Sequence, residues 1–283
     1  MQNIIPKLSF LVSTYNSGSF LDTHIANLIE GQTDHDFEIV VVNPDSPDTD
    51  GVIAQKWAAI DPRINYVYWP QREPYGASWL RAWRCAKGEF VMNSNTDDLH
   101  EPRTTEIVYR HMKLATSQLR GGPKIGFGYG GITVINEKMQ LLGRSLKPPF
   151  DFQLMSSECW AGPQVIWRND EAFRTNVDRG LMDTRAEQYK SAYDYWLWLY
   201  FMSLGYHGYV IPEMLTIYMQ RPGSIENSNK WRNNWETYAA ISEFFSHNFD
   251  SKLKHAKEFR DFKQLPPRDE WISTMQAGNK WKD

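Results

Sequence analysis

Hydrophobic residues recur with two alternating periods along the first third of the chain. Four short apolar runs are typical of buried β-strands: residues 8–12, 37–42, 64–69 and 90–92. Three segments with helical spacing separate them: residues 20–29, 52–59 and 75–86. Strands that alternate with helices in this way pair in parallel through crossover connections. The pattern therefore predicts an α/β fold with a mostly parallel sheet.

Polar residues follow the ends of three of these strands. They are Thr14, Tyr15 and Asn16 after the first strand, Asn43 and Asp45 after the second, and residues 95–98 after the fourth. Ligands of open parallel sheets bind outside the carboxyl ends of the strands. The sequence therefore predicts a binding site along this edge of the sheet.

Asp97 and Asp98 are the main candidates for chemistry at this edge. Residues 93–96 are expected to break the fourth strand, and Pro102 to open the helix that follows. Two carboxylates between a strand and a helix suit a hard divalent cation such as Mg²⁺ or Mn²⁺, which favours oxygen ligands. A helix cap with a solvated neighbour explains the same pair. The residues alone leave both interpretations open.

Composition narrows the class of protein. The 283 residues carry a net charge of −3, so no basic field indicates a nucleic-acid partner. Cys85 and Cys159 are the only cysteines, which excludes a disulfide framework and a cysteine-built zinc site. No apolar run approaches the roughly 20 residues of a membrane span, and residues 1–7 do not resemble a signal peptide. We therefore expect a cytoplasmic protein.

Two further features have a structural interpretation. The chain contains twelve tryptophans and fourteen tyrosines, and although aromatic faces stack on sugar rings, composition alone favours an ordinary core. The run Gly126-Phe-Gly-Tyr-Gly-Gly131 is similar to a phosphate-binding loop, but no helix is predicted directly after it. We therefore predict a tightly packed strand there.

Two series of short motifs occur in order along the chain. The first half contains Val12-Ser-Thr-Tyr-Asn16, Asp36-Phe-Glu-Ile-Val-Val-Val-Asn43, Ala86-Lys-Gly-Glu-Phe-Val91 and Thr96-Asp-Asp98. The second half contains Tyr193-Asp-Tyr-Trp-Leu-Trp-Leu199, Gly205-Tyr206, Ile211-Pro-Glu213 and Tyr218 through Arg221-Pro-Gly-Ser224. Over residues 8–226 these motifs resemble the family 2 glycosyltransferases with the GT-A fold. The pattern is most similar to the branch of the spore-coat polysaccharide glycosyltransferase, which also carries Thr-Asp-Asp at its metal position.

The resemblance implies a GT-A fold, with a mixed, mostly parallel central sheet flanked by helices. Residues 1–226 would form this domain, divided into a nucleotide-sugar half of about residues 1–120 and an acceptor half of about residues 121–226. Residues 227–283 would form a helical C-terminal extension, docked on the domain through an apolar stripe in residues 231–245. Residues 252–263 would form a half-packed helix, with binding to an anionic membrane as the alternative.

The activity that the resemblance implies is an inverting transfer. A sugar would move from a nucleoside-diphosphate sugar, a UDP-sugar above all, to a hydroxyl of a glycan or lipid-linked glycan in polysaccharide biosynthesis. Mn²⁺ or Mg²⁺ would stabilise the leaving diphosphate. Location at the inner face of the membrane, peripheral membrane association and a homo-oligomer remain open.

The resemblance assigns the nucleotide to the polar strand ends. Its binding residues would be Thr14, Tyr15, Asn16, Asn43, Asp45, Asn95 and Thr96, with Arg72 as a further cation. Asp97 and Asp98 occupy the metal position of the family. Asn95 replaces the first acid of that position, which removes one negative charge and predicts weaker metal binding. Trp79-Leu80 replaces an Arg-Asn pair of the family.

Asp194 matches the catalytic base of the family. This carboxylate would remove the proton of the acceptor hydroxyl, and its aromatic neighbours in residues 193–198 would partly desolvate it. An N-cap of the helix predicted over residues 195–204 is the alternative role. The two roles are compatible.

Four positions in the second half complete the predicted site. Arg221 stands where many relatives carry a histidine, and an arginine there would fork onto the diphosphate, with a surface salt bridge as the alternative. Trp160, Gly162 and Tyr193 would line the site of the acceptor and the donor sugar.

Two other functions compete with transfer. A sugar nucleotidyltransferase has a similar core but needs a basic, glycine-rich loop after the first strand, and residues 13–19 contain no Lys or Arg. A sugar-nucleotide-binding protein without turnover is the second alternative, suggested by Asn95 and by Trp79-Leu80.

Overall fold

The computed structural model describes residues 5–117, 123–162, 164–222 and 230–246. Strands and helices alternate through the first half: β1 (Leu8–Ser13), α1 (Gly18–Gly31), β2 (Phe37–Pro44), α2 (Asp50–Ile60), β3 (Ile64–Trp69), α3 (Tyr75–Cys85), β4 (Phe90–Asn95), β5 (Leu99–His100) and α4 (Thr104–Ser117). The second half contains β6 (Lys124–Asn136), β7 (Leu141–Ser145), α5 (Phe152–Ser157), β8 (Ile166–Arg168), α6 (Glu171–Asn176), α7 (Arg179–Gln188), α8 (Tyr193–Ser203), β9 (Tyr206–Gln220) and α9 (Lys230–Ser246).

The strands form one mixed sheet in the order β3-β2-β1-β4-β8-β6-β9-β5, and β7 pairs with β6. The first four strands of this order are parallel, as are β6 and β9. The short strand β8 is antiparallel to both β4 and β6, so those two neighbours run in the same direction. The predicted α/β fold class is confirmed.

The fourth strand is longer than the sequence predicts. Residues 93–96 were expected to break it, but β4 continues to Asn95, in register with Ser13 of β1. On its other side the Asn93 N–H donates to the Val165 carbonyl over 3.2 Å. Because both edges of the strand are hydrogen-bonded, the tertiary pairing outweighs the weak strand propensity of these residues.

Each face of the sheet is covered by its own apolar core. Phe10, Val12 and Val41 pack on the face that carries α1 and α4, whereas Leu11 and Val40 pack on the face that carries α3 and α8. A parallel strand buried on both faces is apolar at nearly every position, which explains the continuous runs in the sequence.

The aromatic residues of the second half mainly build this second core. Trp83, Trp167 and Trp198 are almost fully buried. The rings of Trp198 and Phe127 stack with their centroids 6.0 Å apart. For these tryptophans the core interpretation holds, and the chain's aromatic richness does not by itself indicate a sugar site.

The predicted glycine-rich strand is the central part of β6. A Cβ at Gly128 would lie 2.4 Å from the Met112 sulfur of α4, and one at Gly126 would lie 2.6 Å from the Cβ of Tyr206. Glycine is required because neighbouring side chains and β6 approach this closely. The alternative of a phosphate-binding loop is wrong.

Helix α9 packs on α8. Its Ala240 and Phe244 are buried in the core that contains α8, and the Phe244 ring contacts Phe152. Residues 252–263 and the rest of the predicted extension after residue 246 lie outside the described residues. Among the described helices, none is long and apolar enough to cross a membrane.

Candidate active site at the carboxyl edge of the sheet

The candidate site begins where the parallel strands β1, β2 and β4 end. Ser13 is in register with both Val42 and Asn95, so the residues that follow these strands emerge side by side. The Thr14 N–H donates to the Val42 carbonyl over 3.0 Å. The sheet thus brings together the three polar strand ends that the sequence predicts.

Asp50, a residue that the sequence analysis did not single out, organises this edge. It lies in the first turn of α2 and is fully buried. Its carboxylate accepts hydrogen bonds from the hydroxyls of Thr14 and Ser46, and from the Ser17 N–H over 3.0 Å. In the sequence an acid at a helix start indicates only a favourable dipole contact, so its long-range partners could not be read.

Tyr15 and Arg72 form a stacked pair at the same edge. The guanidinium carbon of Arg72 lies 4.5 Å from the centroid of the Tyr15 ring. Arg72 follows β3, so its predicted proximity to the nucleotide-binding strand ends agrees with this placement. An aromatic ring next to an arginine plane is a suitable surface for a nucleobase.

Asn43 and Asp45 differ in how available they are. Asn43 is buried, its Oδ1 accepts from the Ser46 N–H over 2.8 Å, and its Nδ2 donates to the Tyr66 hydroxyl over 3.1 Å. Asp45 is exposed, and one of its carboxylate oxygens accepts from the Tyr68 hydroxyl over 2.7 Å. Asn43 therefore shapes the loop, whereas Asp45 faces the surface where a base could bind.

Asn16 and Thr96 follow the ends of β1 and β4 at the same edge of the sheet. Asn16 is exposed, has a positive φ of 51°, and donates its N–H to the Ser46 hydroxyl over 3.0 Å. Thr96 is buried directly after β4. Asn16 thus belongs to the open rim and Thr96 to its support.

Asp98 is buried and hydrogen-bonded inside the protein. Its Oδ1 accepts from the Met219 N–H over 2.9 Å, and its Oδ2 accepts from the amides of Gln164 and Asn95 over 2.5 and 3.3 Å. Only 1% of the residue is exposed. Burial, followed by the charge of Asp97, raises the pKa of the Asp98 carboxyl to about 7. This carboxylate holds segments of the site together rather than facing a ligand.

Asp97 points to a different partner. The Nε and Nη2 atoms of Arg221 lie 2.8 and 2.7 Å from its Oδ2, and about a fifth of each side chain is exposed, 22% for Arg221 and 21% for Asp97. The guanidinium also lies over the Phe20 ring, 5.0 Å from the centroid. Arg221 therefore belongs to the site, and its ion pair joins the end of β9 to the loop after β4.

A buried chain of hydrogen bonds supports the backbone of Asp98. Because the Asp98 carbonyl can only accept, the His24 Nδ1 2.7 Å away donates. Its Nε2 then accepts from the Ser94 hydroxyl, which in turn accepts from the Nε2–H of His100. Burial lowers the pKa of His24 to about 4 and that of His100 well below its usual value, so both rings are neutral.

The fit of a divalent cation depends on Asp97 alone. Asp98 uses both oxygens internally, and the described residues contain no group of three or more His, Cys, Asp or Glu side chains arranged around a metal. The partly exposed Asp97 carboxylate supplies hard oxygen donors, which fit an ion whose other ligands come from a diphosphate. Arg221 holds the Oδ2 atom of this carboxylate, so a cation at Asp97 would share the carboxylate with a guanidinium.

Asp194 lies in the first turn of α8, which begins at Tyr193 with Ala192 as its N-cap. The predicted alternative of Asp194 as the N-cap is therefore wrong. The Tyr193 N–H donates to the Tyr75 hydroxyl over 3.0 Å, which places this turn beside the start of α3. Burial and the nearby charge of Asp194 raise the pKa of Tyr75 well above its usual value.

The Tyr193 side chain is not where the sequence places it. Its ring is fully buried, and its hydroxyl donates to the Met182 carbonyl over 3.3 Å. Tyr193 fills the core between α3 and α7, so its predicted contact with a sugar is wrong in this arrangement. The aromatic stretch was misassigned because α8 is apolar on all its faces, and periodicity then gives no orientation.

Glu236 of α9 caps the start of α8. Its carboxylate accepts from the N–H groups of Ser191 and Ala192 over 2.6 and 3.0 Å, and from the Ser191 hydroxyl over 3.0 Å. Only 3% of Glu236 is exposed. A carboxylate that satisfies free N–H groups at a helix start fixes that turn and therefore positions Asp194.

Gly162 and Gln164 contact two different parts of the site: helix α8, which carries Asp194, and the loop after β4, which carries Asp98. The Trp198 indole of α8 donates to the Gly162 carbonyl over 3.1 Å. Two residues further, the amide of Gln164 donates to Asp98 and its oxygen accepts from Thr216 over 3.1 Å. The sequence analysis did not single out Gln164, because its partners are far away in sequence.

Trp160 adds an unpartnered donor to this segment. Its indole N–H is buried and has no hydrogen-bond partner among the described residues. A buried polar group without a partner is costly in a folded protein. This donor suits the predicted place of Trp160 beside a sugar, whose hydroxyls accept hydrogen bonds.

Removing the carboxylate of Glu236 is expected to destabilise the protein. Glu236→Ala leaves the buried Ala192 N–H and the partly buried Ser191 N–H without an acceptor, which costs about 2 kcal/mol. Glu236→Gln keeps an acceptor oxygen and costs less. Urea unfolding measures the difference, and Ser242→Ala on the exposed face of α9 is the control. Equal midpoints for Glu236→Ala and Ser242→Ala would show that the cap is energetically irrelevant.

Comparison with known proteins finds similarity mainly in the first half of the chain. Residues 9–124 match the family described as "Glycosyl transferase family 2". The putative glycosyltransferase EpsH of Bacillus subtilis (strain 168) is 31% identical over 105 residues, which cover 37% of this chain and 30% of that protein. The uncharacterized glycosyltransferase EpsJ of the same strain is 38% identical over 65 residues, 23% of this chain and 19% of EpsJ. The chain thus spans less than a third of either relative.

A solved structure supports the fold over most of the chain. Residues 1–349 of S. aureus TarS, crystallised in complex with UDP-GlcNAc, superpose with a TM-score of 0.62 at 17% identity, covering 86% of this chain and 68% of TarS. Asp194 and Arg221 lie beyond the segment that matches the family. The narrower resemblance to the spore-coat branch stays a prediction. The chain therefore has a GT-A-like fold, and its residues 9–124 are similar to the family 2 glycosyltransferases.

Proposed function

We propose that the protein is an inverting glycosyltransferase that moves a sugar from a nucleoside-diphosphate sugar to a hydroxyl of a glycan or lipid-linked glycan. The observation that carries this proposal is a pair of contacts: the Gln164 amide donates to Asp98, and the Gly162 carbonyl accepts from Trp198 of α8. It links the predicted diphosphate side of the site to the helix that carries Asp194. The family 2 domain in residues 9–124 supports the reaction class.

The donor would bind across the carboxyl edge of the sheet. Tyr15 and Arg72 offer a stacked surface to the base, and Asp45 offers a carboxylate to its polar edge. A UDP-sugar is the favoured donor, and the complex of the structurally similar TarS with UDP-GlcNAc supports this donor class. The proposal keeps the predicted cytoplasmic setting near the inner face of the membrane.

Asp194 would act as the general base. Its ionised carboxylate accepts the proton of the acceptor hydroxyl while that oxygen attacks the anomeric carbon from the face opposite the diphosphate. The bond between the anomeric carbon and the phosphate oxygen breaks, and its electron pair leaves with the diphosphate. Asp194 lies in the first turn of α8, at the positive end of the helix dipole, where a negative charge is stabilised.

Arg221 and Asp97 would serve the leaving group. The Arg221 guanidinium can form two parallel hydrogen bonds to a phosphate, and in this structure its Nε and Nη2 atoms converge on the Oδ2 atom of Asp97. Asp97 would hold Mn²⁺ or Mg²⁺, a common cofactor of GT-A glycosyltransferases. When bound, the ion stabilises negative charge on the leaving diphosphate.

A sugar-nucleotide-binding protein without turnover is the second candidate function. It is favoured by Asn95 in place of an acid and by Asp98, whose two oxygens are engaged by internal donors. A sugar nucleotidyltransferase is less favoured, since the loop after β1 carries no basic residue. Turnover distinguishes the first two candidates.

Asp194→Asn is expected to lower transfer by roughly 10²–10⁴-fold, because the amide cannot accept the proton. UDP affinity should stay within about twofold of wild type, since Asp194 lies outside the nucleotide edge. The donor is first chosen by thermal shift with a panel of nucleoside-diphosphate sugars, and nucleotide release is then measured. Glu187→Gln, an exposed acid on α7, is the control. Wild-type release rates in Asp194→Asn would remove the residue from the mechanism.

Arg221→Ala is expected to tighten Mn²⁺ binding to the nucleotide-free protein by roughly tenfold. The reason is that the guanidinium charge no longer competes with the cation for the Asp97 carboxylate, and a tenfold change corresponds to about 1.4 kcal/mol. UDP binding should weaken in the same variant because a phosphate contact is lost. Electron paramagnetic resonance of free Mn²⁺ and calorimetry with UDP measure the two effects.

Two control variants separate the effect of the Asp97–Arg221 ion pair from the general effect of removing a charged side chain. Asp97→Ala should abolish the Mn²⁺ site and weaken metal-dependent nucleotide binding. Arg103→Ala removes an arginine whose side chain is 54% exposed outside the site, and should change neither affinity. An unchanged Mn²⁺ affinity in Arg221→Ala would show that guanidinium and metal do not compete for Asp97.

A further inference from the structure

The β6–β7 hairpin, residues 132–146, carries an exposed apolar patch. Its members are between 55% and 60% exposed: Met139, Leu141, Leu142 and Leu146. Most other exposed large apolar side chains of the described chain are scattered singly, for example Val52 and Ile60 on α2. Single exposed apolar residues are normal in folded proteins, but four within one hairpin mark an interaction surface.

Positive charge surrounds this patch. Lys138 and Arg144 are exposed, and neither forms an ion pair with any described residue. Lys147 follows the hairpin, and Glu137 is the one acid in residues 137–147, so three cations against one anion give the segment a net charge of +2. The whole chain carries −3, so this surface opposes the overall charge of the protein.

The hairpin projects from the edge of the sheet where the candidate site lies. Gly128 of β6 is linked through Ile166 of β8 to Met92 of β4. Asn136 lies eight residues beyond Gly128, whereas Asn95 lies three residues beyond Met92. The five additional residues carry the hairpin about 16 Å past the end of β4, at about 3.3 Å per residue.

The hairpin also borders the predicted acceptor side of the site. Asn136 pairs with Gln220, which directly precedes Arg221. After the hairpin the chain returns past residues 160–162, where the Lys147 ammonium lies 3.9 Å from the position of a Cβ on Gly162. A surface bound by the hairpin would therefore lie next to the place where an acceptor enters.

The charge pattern selects among the partners that an apolar patch can bind. Two copies of the chain that met through this hairpin would bring Lys138 and Arg144 of one against the same cations of the other, which is unfavourable. A surface of anionic lipid headgroups instead attracts the cations, while its acyl boundary accepts the leucine side chains. Lysine and arginine stems can also lie along the apolar region with their charges at the headgroups.

We propose that the β6–β7 hairpin docks the protein on an anionic lipid surface and presents the carboxyl edge of the sheet to acceptors anchored there. The docking follows from the hairpin alone, whereas the anchored acceptor rests on the proposed function. A lipid-linked glycan would meet the site without leaving the surface.

The test uses the full chain and vesicle sedimentation. Wild-type protein should sediment with vesicles of mixed phosphatidylcholine and phosphatidylglycerol, and much less with phosphatidylcholine alone. The double variant Leu141→Ser, Leu142→Ser and the charge reversal Arg144→Glu should each lower the bound fraction by roughly tenfold. Val52→Ser with Ile60→Ser, which changes two exposed apolar residues on α2 at 72% and 67% exposure, should bind like wild type.

Three results would overturn the docking proposal. They are equal sedimentation with neutral and anionic vesicles, an equal loss in the α2 control, and a wild-type dimer by light scattering that the double leucine variant dissociates. Calorimetry with UDP on the same proteins separates this inference from the proposed function. Absent UDP binding with intact docking rejects the proposed UDP-sugar donor, whereas intact UDP binding without docking rejects only the lipid-docking surface.

Discussion

The carboxylate of Asp98 is the interaction on which the candidate site depends. It is buried, yet it receives hydrogen bonds from β9, from the loop of residues 160–165 and from Asn95 at the end of β4. These three segments are distant in sequence. At this edge of the sheet, no other charged group among the described residues contacts all three of them. A buried carboxylate is tolerated only when its oxygens are satisfied, so each of the three donors is constrained by it. The Asp98 carboxylate thus holds the three segments together beneath the side chains that face the surface.

Asp97 and Asp98 therefore have different roles, although the sequence predicts metal binding for both. Asp98 turns inward and organises the backbone, with His24 and Ser94 fixing its carbonyl from below. Asp97 turns outward and meets Arg221. One peptide bond separates a structural carboxylate from one that can exchange partners. The inward carboxylate of Asp98 keeps the segments of the site hydrogen-bonded to one another, while Asp97 alone faces outward.

Local patterns predicted the fold far better than the contacts within the site. The parallel strands, the glycine-rich strand and the polar edge follow from periodicity and from glycine placement, which act within a few residues. The end of β4 and the start of α8 were misplaced, because pairing with Val165 and capping by Glu236 come from residues remote in sequence. Asp50 and Gln164 were missed for the same reason. Their chemical types are ordinary, and only folding shows which donors they receive.

The cap that α9 places on α8 has a consequence for how this enzyme class can be recombined. Helix α9 comes after the last recognisable motif, so the design of a chimera would treat it as exchangeable. Exchanging that C-terminal region between relatives would alter the surroundings of Asp194 together with the outer surface, because Glu236 reaches back to the turn that carries it. Swaps that keep an acid at this position retain the hydrogen bonds of that turn, and those that lose it change the surroundings of the proposed base from a distance.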